Sequence, residues 1–339
     1  MTKIVKIGVS FILTIIVIIS CQNDRGSSLL SYPDFFPEPR YQFTKNVLSK
    51  EGFELGKALF HDPILSKDNS ISCETCHAQV HAFADHNVSF STGVEGRRGN
   101  RNSPSIVNAI WHTSFMWDGG INHIEIMPFG PIENHVEMDE SLENIIAKLE
   151  NSPYYKAAFK KVFNEDKINS QQIFFALTQY MGMLISDDSK YDKYRKGLVN
   201  FDSEELEGYL IFKNKCSGCH VEPLFTDYSF RHTGLEDLMN DIGRGRITLN
   251  ESDNYKFKVP TLRNVMLTYP YMHDGRFMTI DEVLDHYSSG VMDHPNLDPA
   301  LRQNGKLGIE LSDDDKKALK KFLYTLNDYS FISNKLFSQ

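Results

Sequence analysis

The chain has 339 residues, 36 Lys and Arg against 45 Asp and Glu, a formal net charge of −9 and five cysteines. That acidic balance argues against a nucleic-acid partner, whose phosphates demand clustered cations, and suits a basic or dipolar protein partner. The length allows two domains of ordinary size, each able to bury its own core.

In chain order, Lys3 and Lys6 precede the uncharged apolar run "IGVSFILTIIVIIS", which has the length of a signal peptide and is short for a membrane span. The run ends in "IISC", similar to a bacterial lipobox, so residues 1–20 read as a lipoprotein-type signal peptide and Cys21 as the lipidated residue. Residues 21–45, beginning with the polar "QNDRGSS", read as a tether. The mature protein is then expected in the periplasm, held at a membrane by its lipid anchor. Loss of Lys3 and Lys6 leaves 34 basic against 45 acidic side chains, a charge of −11.

Strand signals are sparse, and helices are expected over 50–62, 139–152, 170–186, 202–215 and 312–328. Phe53, Leu59 and Phe60 in the first, and Leu319, Phe322, Leu323 and Leu326 in the last, recur at helical spacing. Ser312 followed by acids supplies an N-cap and a favourable first turn. Long Gly-, Pro-, Asn- and His-rich stretches separate these helices, as expected where a large cofactor replaces part of the core. The class is mainly α.

Four of the five cysteines lie in two copies of one pattern, "SCETCH" (72–77) and "KCSGCH" (215–220), whose first cysteines are 143 residues apart. The spacing fits a zinc knuckle, a dithiol redox pair or covalent haem attachment. Zinc has no use for the adjacent histidine, and a redox pair usually follows a strand, whereas each copy here follows an apolar helix. Haem attachment uses every residue. Cys73 and Cys76, and Cys216 and Cys219, would each add to the vinyl groups of one haem, with His77 and His220 on the irons.

The order of further blocks is specific. "LGKALFHDPILS", "RNSPSIVNA", "FMWDGG", "GPIENHVEM", "FKVPTLRNVMLTYPYMHDGRF" and "IDEVLDHY" accompany the two attachment motifs from about residue 50 to 328. On these blocks the chain resembles the bacterial dihaem cytochrome c peroxidase family, including its MauG-like branch. The resemblance implies two packed cytochrome c-like haem domains with long irregular loops. They would span residues 46–200 (peroxidatic) and 201–332 (electron transfer). It implies that Trp117 relays electrons between the haems and that Glu137 is the distal acid/base. It also implies that Asn102, with the carbonyls of Thr268 and Pro270, holds a Ca2+ ion, a plausible hard-oxygen shell.

Several positions depart from the family pattern. The histidine that caps the first haem in resting peroxidases falls at Val94; His81 and His86 are nearer the motif but differently spaced. An iron open at rest is therefore expected. The sixth ligand of the second haem, Met in ordinary peroxidases and Tyr in the MauG-like branch, aligns with Tyr287, while Met272, Met278 and Met292 compete and His286 is a weaker candidate. A phenolate there would stabilise oxidised iron and a thioether reduced iron. Gly120 replaces a usual arginine and Met127 a common glutamine, reducing polar control near peroxide. Arg97, Arg98 and Arg101 are candidates for haem propionates, and His273 and Arg276 for a network beside the second haem.

The expected function is reduction of hydrogen peroxide to water, with electrons from a small cytochrome c or cupredoxin. The alternatives are a MauG-like oxidase acting on a protein or small molecule, and a non-catalytic dihaem electron shuttle.

Overall fold

The computed structural model describes residues 29–303 and 305–339; Cys21 and the segment expected as a signal peptide lie outside them. Six helices of eight residues or more occur among the described residues: α1 (Lys50–His61), α2 (Leu142–Glu150), α3 (Pro153–Phe163), α4 (Ser170–Gly182), α5 (Ser203–Lys215) and α6 (Asp313–Tyr324). Side-chain caps explain their starts. The Ser49 hydroxyl accepts from Gly52 N at 3.0 Å, and reciprocal capping boxes open α4 (Asn169 with Gln172), α5 (Asp202 with Glu205) and α6 (Ser312 with Asp315). The five expected helices form, most of them ending short of the expected bounds. α3, "PYYKAAFKKVF", is not among the expected helices; it follows α2 after only Asn151 and Ser152. Among the described residues the strands are two-residue antiparallel pairs, Phe230–Arg231 with Phe257–Lys258 and Arg302–Gln303 with Lys306–Leu307, besides isolated bridges.

The chain is built as two similar halves, each organised by one helix crossing. α1 crosses α4 and α5 crosses α6, in both cases at a glycine. A Cβ on Gly56 would sit 1.9 Å from the carbonyl of Ala176, and one on Gly208 1.9 Å from that of Ala318. Backbone-to-backbone approach therefore sets both crossings. One core gathers Phe53, Leu59, Phe60, Ile110, Leu177 and Tyr180; the second gathers Tyr191, Phe212, Phe225, Leu319 and Phe322.

The ends of the described chain close onto the first half. Residues 29–45, expected as the end of a tether, pack there: Phe36 is buried against Trp111, whose indole donates to Pro37 O at 2.7 Å. Phe331 and Phe337 cross back into the first core, and Tyr180 Oη donates to Phe337 O at 2.8 Å. Between the halves lies a fully buried ion pair, with Arg263 donating to both carboxylate oxygens of Asp192 at 2.9 and 2.8 Å. The Arg263 guanidinium also lies 4.7 Å from the ring centre of Phe36.

Candidate haem-binding and peroxide site

Each attachment motif begins where a helix or tight turn ends. Cys73–Cys76 forms one helical turn after α1, and Cys216 is the residue that terminates α5. The two histidines are then oriented alike. His77 Nδ1 lies 2.9 Å from Phe83 O and His220 Nδ1 3.1 Å from Phe225 O. A carbonyl can only accept, so Nδ1 carries the proton and Nε2 keeps its lone pair, as a metal-bound imidazole requires. Both phenylalanines adopt left-handed backbone conformations, φ 58° and 55°, that turn their carbonyls toward the rings. Burial holds both imidazoles neutral by lowering their pKa values.

The thiols match attachment better than the rival chemistries. Burial pushes Cys73 and Cys216 up to about 12 and Cys76 to about 11, whereas redox-active CxxC pairs have depressed values. Among the described residues no three His, Cys, Asp or Glu side chains converge as a metal-binding group, so the two pairs do not build a four-ligand zinc site. Two cysteines with a correctly tautomerised histidine, present twice, fit two c-type haems.

A second repeat follows each motif, and its signal was present in the sequence: "PSIVN" with "MWDG" (104–119) and "PTLRN" with "MHDG" (260–275). Asn108 and Asn264 both adopt φ near 60°, as do Met116 and Met272. Ser105 Oγ donates to Ala82 O and Thr261 Oγ1 to Leu224 O, each at 2.6 Å, tying the repeats to the two motifs. Trp117 and His273 are equivalent residues of this repeat, and each half holds the other's turn. Asn102 N donates to His273 O and Lys258 N to Trp117 O, both at 2.7 Å. The Trp117 indole donates to Asn102 O at 2.8 Å, which fixes the ring at the junction. His273 stacks on Phe257 with ring centres 3.6 Å apart, and burial lowers its pKa to about 4.

Glu137 belongs electrostatically to the first motif, since its carboxylate raises the Cys76 thiol. Its side chain keeps accessible surface, yet the protein around the carboxyl strips water from it. That desolvation raises its pKa, against the lowering effect of a 2.7 Å hydrogen bond from Asn134 Nδ2. Val94 is 0% exposed, and its N–H donates to Glu137 O at 2.8 Å. His81 and His86 instead stack on one another at 3.6 Å, with His86 Nε2 2.5 Å from Tyr269 Oη.

Around the second motif, Tyr287 lies close enough to Cys219 and Cys216 for their charges to act on it, and burial foremost raises the phenol pKa. Among the described residues its hydroxyl makes no hydrogen bond; its carbonyl accepts from Ile309 N at 2.7 Å. Met278 and Met292 are exposed, and Met272 sits half-buried in the left-handed turn. His286 Nε2 is 2.9 Å from Thr233 O. Asn102 is buried beside the turn carrying Thr268 and Pro270, with Asn87 N donating to Tyr269 O at 3.2 Å and Asn102 Nδ2 to Val88 O at 3.2 Å.

The arginines expected near propionates have protein partners. Arg97 reaches Asp139 at 2.7 Å, Arg101 reaches Asp118 at 2.7 Å and Asp241 at 2.6 Å, and Arg276 pairs with Asp274; Arg98 donates to Thr92 Oγ1 at 3.2 Å. Arg244 and Arg246 of the second half donate to the Asp118–Gly119 turn, beside the Gly120 position that lacks the usual arginine. Met127 packs against the first core.

The profile of a family described as di-haem cytochrome c peroxidase matches residues 50–200. The methylamine utilization protein MauG of Methylorubrum extorquens is 32% identical over 300 residues, covering 87% of this chain and 82% of that protein. The cytochrome c551 peroxidase of Nitrosomonas europaea is 38% identical over 241 residues, covering 68% and 71%. The crystal structure of a MauG-like protein associated with microbial copper homeostasis superposes with a TM-score of 0.80 at 31% identity, covering 90% of this chain and 97% of that one. The chain therefore belongs to the di-haem cytochrome c peroxidase family, oxidoreductases that carry two c-type haems.

Proposed function

We propose that the protein reduces hydrogen peroxide at the His77 side of the molecule, with electrons entering through the His220 side from an external small redox protein. The single observation that carries this reading is the pairing of Glu137 with Val94. A carboxyl with a raised pKa stands by the first motif, and the loop that would bring a capping imidazole there carries a buried aliphatic residue instead.

Bound haem supplies redox equivalents and a Lewis-acidic iron; the chain supplies everything else. His77 and His220 bind through Nε2, oriented by Phe83 O and Phe225 O. Glu137 would take a proton from one oxygen of peroxide and return it to the other, which leaves as water, and two donor electrons with two protons convert the remaining oxygen to a second water. Desolvation suits it to this task by bringing its pKa toward the working pH. Asn134 orients one carboxylate oxygen, leaving the other for peroxide. Trp117, held by both halves, carries charge between them. Tyr287 is the proposed sixth ligand of the second iron, a role in which coordination displaces its proton. Asn102, Thr268 and Pro270 are proposed to hold Ca2+ through neutral oxygens.

Residues 46–200 would form the peroxidatic domain and 201–332 the electron-transfer domain, with Cys21 anchoring an exported lipoprotein. The donor would be a small cytochrome c or a cupredoxin. A second reading is MauG-like oxidation of a protein or small molecule, favoured by Tyr287 and by the extent of the match to MauG. Peroxide consumption driven by a reduced small c-type cytochrome tests the first reading. Two donor electrons per peroxide support it, and absence of turnover with cytochrome and cupredoxin donors alike contradicts it.

A further inference from the structure

The proposed mechanism leaves one half-buried cation without a carboxylate partner. Lys258 lies in the Phe257–Lys258 strand, two residues before Pro260, whose carbonyl faces His220. Its Nζ donates to Ser114 O at 2.9 Å. An ammonium has three N–H donors, and among the described residues no carboxylate pairs with this one. Desolvation outweighs the distant pull of Asp118 and lowers its pKa to about 8. Its neighbour is equally unsatisfied: Ser114 Oγ is a buried side-chain oxygen without a hydrogen-bond partner. His112, two residues before Ser114, is kept neutral by burial and by Lys258 itself, so Lys258 is the cation there.

A half-buried ammonium held on the Ser114 carbonyl, with only the Phe115 ring 5.9 Å away besides, and the unpartnered buried hydroxyl of the same serine are the complement of a carboxylate. Haem carries propionate carboxylates, and the arginines first suited to them are already paired with Asp139, Asp118 and Asp241. We propose that Lys258 and Ser114 form the receiving site for a haem propionate at the junction of the two halves. The ammonium neutralises the carboxylate and the hydroxyl donates a second hydrogen bond. The internal repeat makes the site one-sided: Lys258 occupies the position that Asn102 holds in the other half, so only one of the two equivalent positions carries a charge. Lys258 is thereby a positioning residue that also tunes iron potential, because a nearby cation favours the reduced state.

The inference rests on the chain carrying haems but not on peroxide being its substrate, so it is read without turnover. Holoprotein with both haems bound is compared as wild type, Lys258→Gln and Lys258→Arg, by spectroelectrochemical titration and by the propionate bending bands in resonance Raman spectra. Gln keeps an N–H for Ser114 O while removing the charge. Lys258→Gln is expected to shift the reduction equilibrium of one haem toward the oxidised form at least tenfold, about 59 mV for one electron, and to move a propionate band. Lys258→Arg is expected to restore both. Potentials and bands identical to wild type in Lys258→Gln would overturn the assignment. Should that variant fail to load haem, Ser114→Ala reads the same bands, and an unmoved spectrum there overturns it equally.

Discussion

The N–H of Val94 donates to the carbonyl oxygen of Glu137 at 2.8 Å, so the loop after the first attachment motif and the turn bearing the acid are one unit. Gly93 shows how closely they meet: a Cβ there would lie 2.3 Å from Val136 O and 2.4 Å from Glu137 O. The contact fixes the buried Val94, at the position proposed to correspond to a capping histidine. Val94→His is therefore expected to convert resting high-spin iron to low-spin and to make peroxide reactivity depend on prior reduction. Electron paramagnetic resonance of the ferric variant checks this; an unchanged high-spin signal counts against the role of that position.

Glu137→Gln preserves shape and removes the base. Loss of general acid/base catalysis is worth about 100-fold to 10,000-fold in rate, and a fall of that size in peroxide turnover is expected with both haems retained. The pH dependence has a definite sign. Desolvation by the surrounding protein raises the Glu137 pKa, so the carboxylate that accepts the peroxide proton is lost on acidification at a higher pH than for a glutamate of ordinary pKa. Turnover should thus fall with acid earlier than for a glutamate of ordinary pKa, and a stopped-flow pH profile of Glu137→Gln should lack that limb.

Tyr287→Phe removes only a hydroxyl that has no hydrogen-bond partner among the described residues. Low-spin haem signals are expected to change while high-spin signals stay. Magnetic circular dichroism separates the two populations, and identical spectra for variant and wild type would assign the ligand elsewhere.

Two substitutions test the scaffold. Gly56→Ala or Gly208→Ala would press a methyl group onto the carbonyl of the crossing helix, an overpacking that costs about 1–3 kcal/mol. A lowered thermal midpoint in the holoprotein is expected for each, since the crossings are equivalent.

Arg263→Leu leaves the Asp192 carboxylate buried without its counter-ion, which costs about 3–5 kcal/mol. Denaturant titration should show that loss, and the double variant with Asp192→Asn should recover part of it. Additive losses would mean that the two residues act independently, contrary to their bidentate contact.

Much of this architecture is legible in the residues. The attachment motifs announce themselves by spacing, and the main helices by periodicity and caps. Most of what escaped sequence reasoning depends on backbone placement rather than residue type. Phe83 and Phe225 look like core aromatics, yet their carbonyls, turned by left-handed φ values, are what orient the histidines. Arg101 looks like a free cation until Asp118 and Asp241 fold onto it from opposite halves. The second repeat is readable in the residues themselves, since aligning 104–119 with 260–275 pairs Trp117 with His273.

The central claim is an iron bound by His77 whose other face is open at rest and served by Glu137. Optical and electron paramagnetic resonance spectra of the fully ferric, fully haem-loaded protein, before and after one equivalent of hydrogen peroxide and with no reductant, test it most directly. The account predicts a high-spin component at rest that disappears on peroxide addition. A resting protein that is entirely low-spin, or a high-spin signal indifferent to peroxide, would contradict it.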